Sequence, residues 1–166
     1  MISWSIGSGN LLFLDKSMAV SSHVRNEING LRPKIGARDV VYAEKKDGSR
    51  GVPYMPRIFP IGSWNILGIV DHLTTADQET GYLYPHFIRT DAWQMIDEWE
   101  IDHQGYYLRP TGRQVADYGY GLHWAEKSST TLGCGRIDTK DHLLFIVEEL
   151  RELFKHSKTI PFQVTK

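Results

Sequence analysis

Ile2, Trp4 and Ile6 alternate with Ser3 and Ser5, the period of a strand with one buried face. Gly7-Ser-Gly-Asn10 reads as a turn, and Leu11–Leu14 as the strand that returns from it. Asp15-Lys-Ser17 turns again into a third apolar stretch around Met18 to Ser22. The chain therefore opens as a meander. From Arg25 to Pro60 the alternation breaks down, apart from a short run at Val40 to Ala43, and the residues predict a long irregular insertion over one face. Asp47-Gly48 marks a turn inside it. Strand-like residues resume at Ile61–Val70 and again at Phe87–Thr90, with a polar loop between them at Thr74–Gly81.

Ala92–Asp102 carries two patterns. Trp93, Ile96 and Trp99 are spaced like one helical face, whereas Trp99 and Ile101 alternate with charges. The expectation is a short helix followed by a strand. Gly105–Arg109 reads as a strand ended by Pro110, and a glycine–tyrosine segment, Tyr118-Gly-Tyr-Gly121, follows. The strongest helix lies near the end, capped by Asp138 or Thr139. Leu143, Leu144, Val147, Leu150, Leu153 and Phe154 form its apolar face; Glu148, Glu149, Arg151, Glu152 and Lys155 form a solvated one. Ile160–Val164 is a closing strand, with Pro161 at its start or near an edge. The sum is a mainly β (α+β) fold, a sandwich or barrel with a C-terminal helix packed on it.

A length of 166 residues suits one domain, 1–166, with a full core. Nineteen basic against twenty acidic residues leave a net charge of −1, which argues against a non-specific nucleic-acid binder. The longest apolar stretch, Leu143–Val147, is far shorter than the ~18 residues of a membrane span, so no integral membrane segment is expected. Met1-Ile-Ser-Trp-Ser-Ile lacks the basic start of a signal peptide, which points to synthesis in the cytoplasm without one. The basic residues Arg32, Lys34, Arg38, Lys45, Lys46, Arg50 and Arg57 concentrate in the insertion; they make a solvated loop or a surface that approaches an anionic polymer.

A single cysteine, Cys134, excludes an internal disulfide. It sits in Thr131-Leu-Gly-Cys-Gly-Arg136. Glycine neighbours admit a substrate backbone and leave N–H groups to form an oxyanion hole. Arg136 favours a thiolate and can hold a carboxylate. Upstream, Gly121-Leu-His-Trp124 supplies His123, separated from the cysteine by a polar stretch that can bring the chain back beside it. A neutral imidazole within reach takes the thiol proton in cysteine acyl transfer. The plain alternatives are a packed cysteine and a packing or capping histidine.

These residues resemble the signature of the L,D-transpeptidases, the YkuD-like catalytic domain: a histidine after an apolar residue, a loop, then Ser/Thr-His-Gly-Cys-apolar-Arg. His123, Thr131, Gly133, Cys134 and Arg136 match it; Leu132 replaces the family's second histidine and Gly135 its Ile or Val. Pro60-Ile-Gly-Ser-Trp64 is similar to the family's Pro-x-Gly-x-aromatic strand, and the last helix and strand fall where the family has them. The short His123–Cys134 spacing, the small size and the lack of a signal peptide resemble the toxin-like branch, delivered by type VI secretion or encoded by phages.

The resemblance implies that the Cys134 thiolate attacks the carbonyl joining meso-diaminopimelate to D-alanine in peptidoglycan tetrapeptide stems. Backbone N–H groups of Cys134 and Gly133 then bind the oxyanion, His123 passes the proton to the leaving D-alanine, and the carbonyl of Trp124 orients the imidazole. Arg136, Thr131 and Tyr120 shape the site and hold substrate. A stem amine, a free D-amino acid or water resolves the thioester. The family needs no cofactor or metal; its partners are stem peptides and, in the toxin-like branch, an immunity protein or secretion apparatus. Action in the periplasm or cell wall, of a target cell in that branch, follows. A degenerate binding module of the same fold is the alternative. Zinc is the chemical rival, with His103, His123, His142, Cys134 and Asp102 available, but no CxxC, HExxH or HxH spacing supports it.

Overall fold

The computed structural model describes residues 1–22, 40–71, 86–124 and 133–166. Eight strands close into a barrel: β1 (Ile2–Ser5), β2 (Asn10–Phe13), β3 (Lys16–Ser21), β6 (Gly62–Val70), β7 (Phe87–Thr90), β10 (Gly121–His123), β11 (Gly135–Ile137) and β12 (Ile160–Thr165). Their order around the barrel is β1-β12-β6-β7-β10-β11-β3-β2, and β2 returns to β1. Two neighbouring pairs are parallel, β1 with β12 and β10 with β11; the other six are antiparallel. The opening meander is present, and its alternation is the cause. Ile2, Trp4, Leu11, Phe13, Met18 and Val20 point inward and are buried, while their neighbours face out.

Closure removes the exposed strand edges that would otherwise invite further pairing. It also puts β12 between β1 and β6, with Pro161 at the second position of the strand. Trp4 fills the centre, stacked parallel to Phe162 at 6.5 Å and edge-on to Phe59 at 5.2 Å. Its indole Nε1 donates to Val20 O at 3.1 Å, so the buried ring carries no orphan donor.

Helix α1 (Lys140–Phe154) is the one helix among the described residues. Thr139 is its N-cap, accepting from the His142 N–H at 3.1 Å. Leu143, Ile146, Val147 and Leu150 bury against the barrel. Leu144, expected on the apolar face, is 37% exposed; Ile146 takes its place because the stripe follows the 143–146–147–150 spacing.

A second core lies outside the barrel. Within the stretch expected to be irregular, β4 (Tyr42–Glu44) and β5 (Arg50–Pro53) form a hairpin whose turn carries Asp47-Gly48. The segment 23–39 lies outside the described residues, as does the expected loop at 74–81. β8 (Gln94–Ile101) pairs with β9 (Tyr107–Asp117), and a bridge between Tyr54 and Glu98 joins the two pairs. Val41, Ala43, Tyr54, Ile96 and Tyr107 are buried between them.

Two expectations fail here for one reason. No short helix precedes β8: Ile96 and Trp99 share a face across three residues because the register shifts between Asp97 and Trp99. Two steps along β8 there face four along β9, so the extra residues lie in β9 and the ladder is locally broken. Nor does Pro110 end β9; it sits opposite Trp99 beside that shift, where a missing N–H costs no regular ladder bond. Trp93 is 43% exposed and stacks on Tyr118 at 6.0 Å.

Candidate active site

The barrel brings the two chemical motifs together through β10 and β11. Leu122 pairs with Gly135 and His123 with Arg136 in parallel register. Leu122 and Ile137 are fully buried in the core, so His123 and Arg136 extend from the opposite face. Cys134 immediately precedes β11, one position back from the Leu122–Gly135 pair. His123 on β10 and Cys134 at the entry to the adjacent β11 are thus brought side by side in the chain path although eleven residues apart.

The backbone that presents the thiol is fastened from several sides. Gly133 has φ +116°, a conformation that favours glycine, and a Cβ there would come within 2.7 Å of both Arg57 O and Tyr120 Cε1. Its carbonyl accepts from Ser22 Oγ at 3.0 Å, and Ser22 Oγ in turn accepts from the Phe59 N–H at 2.9 Å. Gly135 has no room for a side chain either: a Cβ would lie 2.5 Å from Leu122 Cδ2 and 3.1 Å from the Trp4 ring. Trp4 occupies the space that a side chain at 135 would need.

Tyr120 stands behind Gly133. Its hydroxyl donates to Asp117 Oδ2 at 2.7 Å and accepts from Gln94 Nε2 at 2.9 Å. Its carbonyl accepts from Thr90 Oγ1 at 2.6 Å. The other carboxylate oxygen of Asp117 accepts from the Glu44 N–H at 2.8 Å, so one buried side chain ties β4, the end of β9 and Tyr120 together. Burial raises the Asp117 carboxyl above the usual carboxylate range, against the pull of these hydrogen bonds. Sequence reading missed Asp117, Ser22 and Gln94. A lone acid directly before Tyr-Gly-Tyr-Gly was the one available signal.

The Cys134 thiol is directed at Gly119 O, 3.8 Å away. Its pKa is pushed up to about 11: burial is the largest cause, the Gly121 N–H opposes it, and the carboxylates of Asp117 and Glu44 raise it further. His123 moves the other way, down to about 4, through burial and then the neighbouring Arg136 charge, with the Trp124 backbone a weaker opposing influence. Both groups are therefore neutral at pH 7. The imidazole stacks on Phe87 at 6.2 Å, and its buried Nδ1 has no hydrogen-bond partner. Trp124 is half-buried against the barrel core, and Thr131 lies outside the described residues.

A groove of about 450 Å³ opens beside this backbone. Gly119 and Tyr120 form part of its wall, together with Glu44, Arg89, Leu67 and Phe87. Phe87 and Tyr120 connect the groove to His123 and Gly133, although neither Cys134 nor His123 lines it directly. Among the described residues no group of three His, Cys, Asp or Glu side chains is placed to hold a metal ion, and no helix is long and apolar enough to cross a membrane. The chain matches no family model, no curated protein and no solved structure.

Proposed function

We propose that the protein is a cysteine-dependent peptidoglycan acyltransferase or peptidase, an L,D-transpeptidase or L,D-carboxypeptidase acting at the diaminopimelate–D-alanine bond. The observation that carries this reading is His123. It is a buried imidazole with an unsatisfied Nδ1, on the strand that pairs with the strand following Cys134.

With both groups neutral at rest, the chemistry is general-base catalysis rather than attack by a standing thiolate–imidazolium pair. Sulfur bonds to the scissile carbonyl carbon as the thiol proton passes to His123. The carbonyl electrons move to oxygen, where backbone N–H groups at Gly133 and Cys134 receive them. Collapse breaks the C–N bond, and the imidazolium returns the proton to the departing D-alanine amine. An amine or water then cleaves the thioester and restores the thiol. Arg136 next to His123 opposes imidazolium formation and favours prompt return of the proton.

Action in the periplasm or cell wall follows, as a secreted antibacterial effector with its immunity protein and secretion apparatus. Digestion of purified muropeptides by the wild type and by Cys134→Ala tests the reading. Loss of the terminal D-alanine, or its exchange, with the wild type alone is expected. Intact stems with both proteins would exclude it. The resting thiol near 11 and imidazole near 4 favour a second reading, a binding module of the same fold. That reading expects both proteins to bind stems equally and cleave neither.

A further inference from the structure

The groove beside the cysteine carries charges of both signs that the proposed chemistry does not use. On one side the Glu44 carboxylate packs directly over the Cα of Gly119, whose carbonyl receives the Cys134 thiol. On the other stands Arg89, the antiparallel register partner of Gly121, whose N–H is directed at the same sulfur. Gly119–Gly121 is thus a narrow backbone platform with a carboxylate at one flank and a guanidinium at the other. Glu44 and Arg89 are both exposed.

Among the described residues neither Glu44 nor Arg89 closes an ion pair. The other acids of the groove are engaged: Asp47 accepts from Ser49 Oγ at 2.6 Å, and Asp91 from the Asn65 N–H at 2.6 Å. Lys46 adds a second cation to the wall, and Leu67, Val70 and Phe87 give it an apolar side. The volume of about 450 Å³ lies in the range of small-molecule sites.

A cation alone would meet Arg89 and Lys46, and an anion alone would meet Glu44. A group with an ammonium and a carboxylate on one carbon satisfies both flanks. We infer that the groove binds the zwitterionic head of an α-amino acid, its ammonium toward Glu44 and its carboxylate toward Arg89. The inference rests on the proposed acyl transfer only for its purpose: such a head belongs either to a free D-amino acid that meets the thioester or to the side-chain end of diaminopimelate in a stem.

Binding to the wild-type protein by NMR titration tests the inference without calling on the thiol. Three probes separate the charges: D-alanine has both, D-alaninamide only the cation, and N-acetyl-D-alanine only the anion. D-Alanine is expected to bind tightest, roughly tenfold over either blocked form. Glu44→Gln should weaken D-alanine and D-alaninamide and leave N-acetyl-D-alanine unchanged; Arg89→Gln should weaken D-alanine and N-acetyl-D-alanine and leave D-alaninamide unchanged. A fourth probe, diaminopimelate acetylated at one amine, identifies the source. If it binds and D-alanine does not, the head belongs to the stem; if D-alanine binds, a free amino acid suffices. Equal, measurable binding of the three alanine probes, failure of D-alanine and the diaminopimelate probe alike, or indifference to both substitutions overturns the inference. Failed binding with stem cleavage intact rejects this subsite alone, and binding without cleavage rejects the acyl transfer alone.

Discussion

His123 and Arg136 are direct register partners across the parallel β10–β11 pair, which fixes a positive charge beside the imidazole. That charge is the second cause, after burial, of the low pKa of His123. Arg136→Gln is expected to move the His123 titration upward from about 4, while Arg136→Lys leaves it near the wild-type position. NMR titration of the ring protons reads this directly. An unchanged midpoint in Arg136→Gln would mean that burial alone holds the ring neutral.

The same histidine makes the fold acid-sensitive. In the unfolded chain it binds a proton below about 6.5, but in the folded chain only below about 4. Between those values the unfolded state holds more protons, so stability rises with pH across the window. The contribution is complete above pH 6.5 and is lost as pH falls toward 4, a change of roughly 3 kcal/mol. Denaturant unfolding of the wild type and His123→Gln at several pH values should show the difference between them shrinking as the pH drops. A constant difference would contradict a buried neutral imidazole.

Cys134 is expected to alkylate slowly at rest. A thiol near 11 holds about 100-fold less thiolate at pH 8 than one near 9, partly offset by greater nucleophilicity. Iodoacetamide labelling at pH 8 should run roughly tenfold or more below a free cysteine and climb until the pH approaches 11. Glu44→Gln removes one of the two carboxylates that raise the thiol, so it should speed labelling. Labelling faster than free cysteine would refute the burial of this sulfur.

The fold was most legible where alternation was regular. Ile2–Trp4 and Leu11–Phe13 were readable because each strand has one face in the barrel. The helix–strand reading of Ala92–Asp102 failed because the pairing of β8 shifts where β9 carries extra residues, and such a shift depends on the partner strand, not on local residues. The β4–β5 hairpin was hidden by its charge and glycine content, since only Ala43 and Tyr54 with their neighbours bury. At the site, Gly133, Cys134, His123 and Arg136 were visible as a motif. Ser22 and Gln94 act through hydrogen bonds to residues far along the chain, and Asp117, beside its local bond to Tyr120, reaches Glu44 on a distant strand.

Gly133 should tolerate no side chain. Its φ of +116° disfavours any L residue, and the two contacts at 2.7 Å, Arg57 O and Tyr120 Cε1, leave no room for a Cβ. Gly133→Ala is expected to lose about 2–4 kcal/mol of stability. Tyr120→Phe removes the hydroxyl but keeps the ring, so it does not relieve the clash. The double variant should therefore be less stable than Gly133→Ala alone. Equilibrium denaturation of the three variants checks this; a neutral Gly133→Ala would show that the turn can rearrange.

Asp117 is the bond between the two cores. Its carboxylate receives the Glu44 N–H from β4 and the Tyr120 hydroxyl from the backing of Gly133. Asp117→Ala leaves the Glu44 N–H without its acceptor and the Tyr120 hydroxyl with only the Gln94 contact. The expected cost is about 2–4 kcal/mol. Asp117→Asn keeps an acceptor for the Glu44 N–H but presents an amide N–H to the Tyr120 hydroxyl, so it should fall between alanine and the wild type. Hydrogen exchange locates the loss. Protection of the Glu44 and Tyr118 amides should fall in Asp117→Ala, since Tyr118 N–H donates to Glu44 O at 2.9 Å, while amides of β1 and β12 in the barrel keep theirs. Equal loss across both regions would instead mean that the barrel and the outer sheets unfold as one unit.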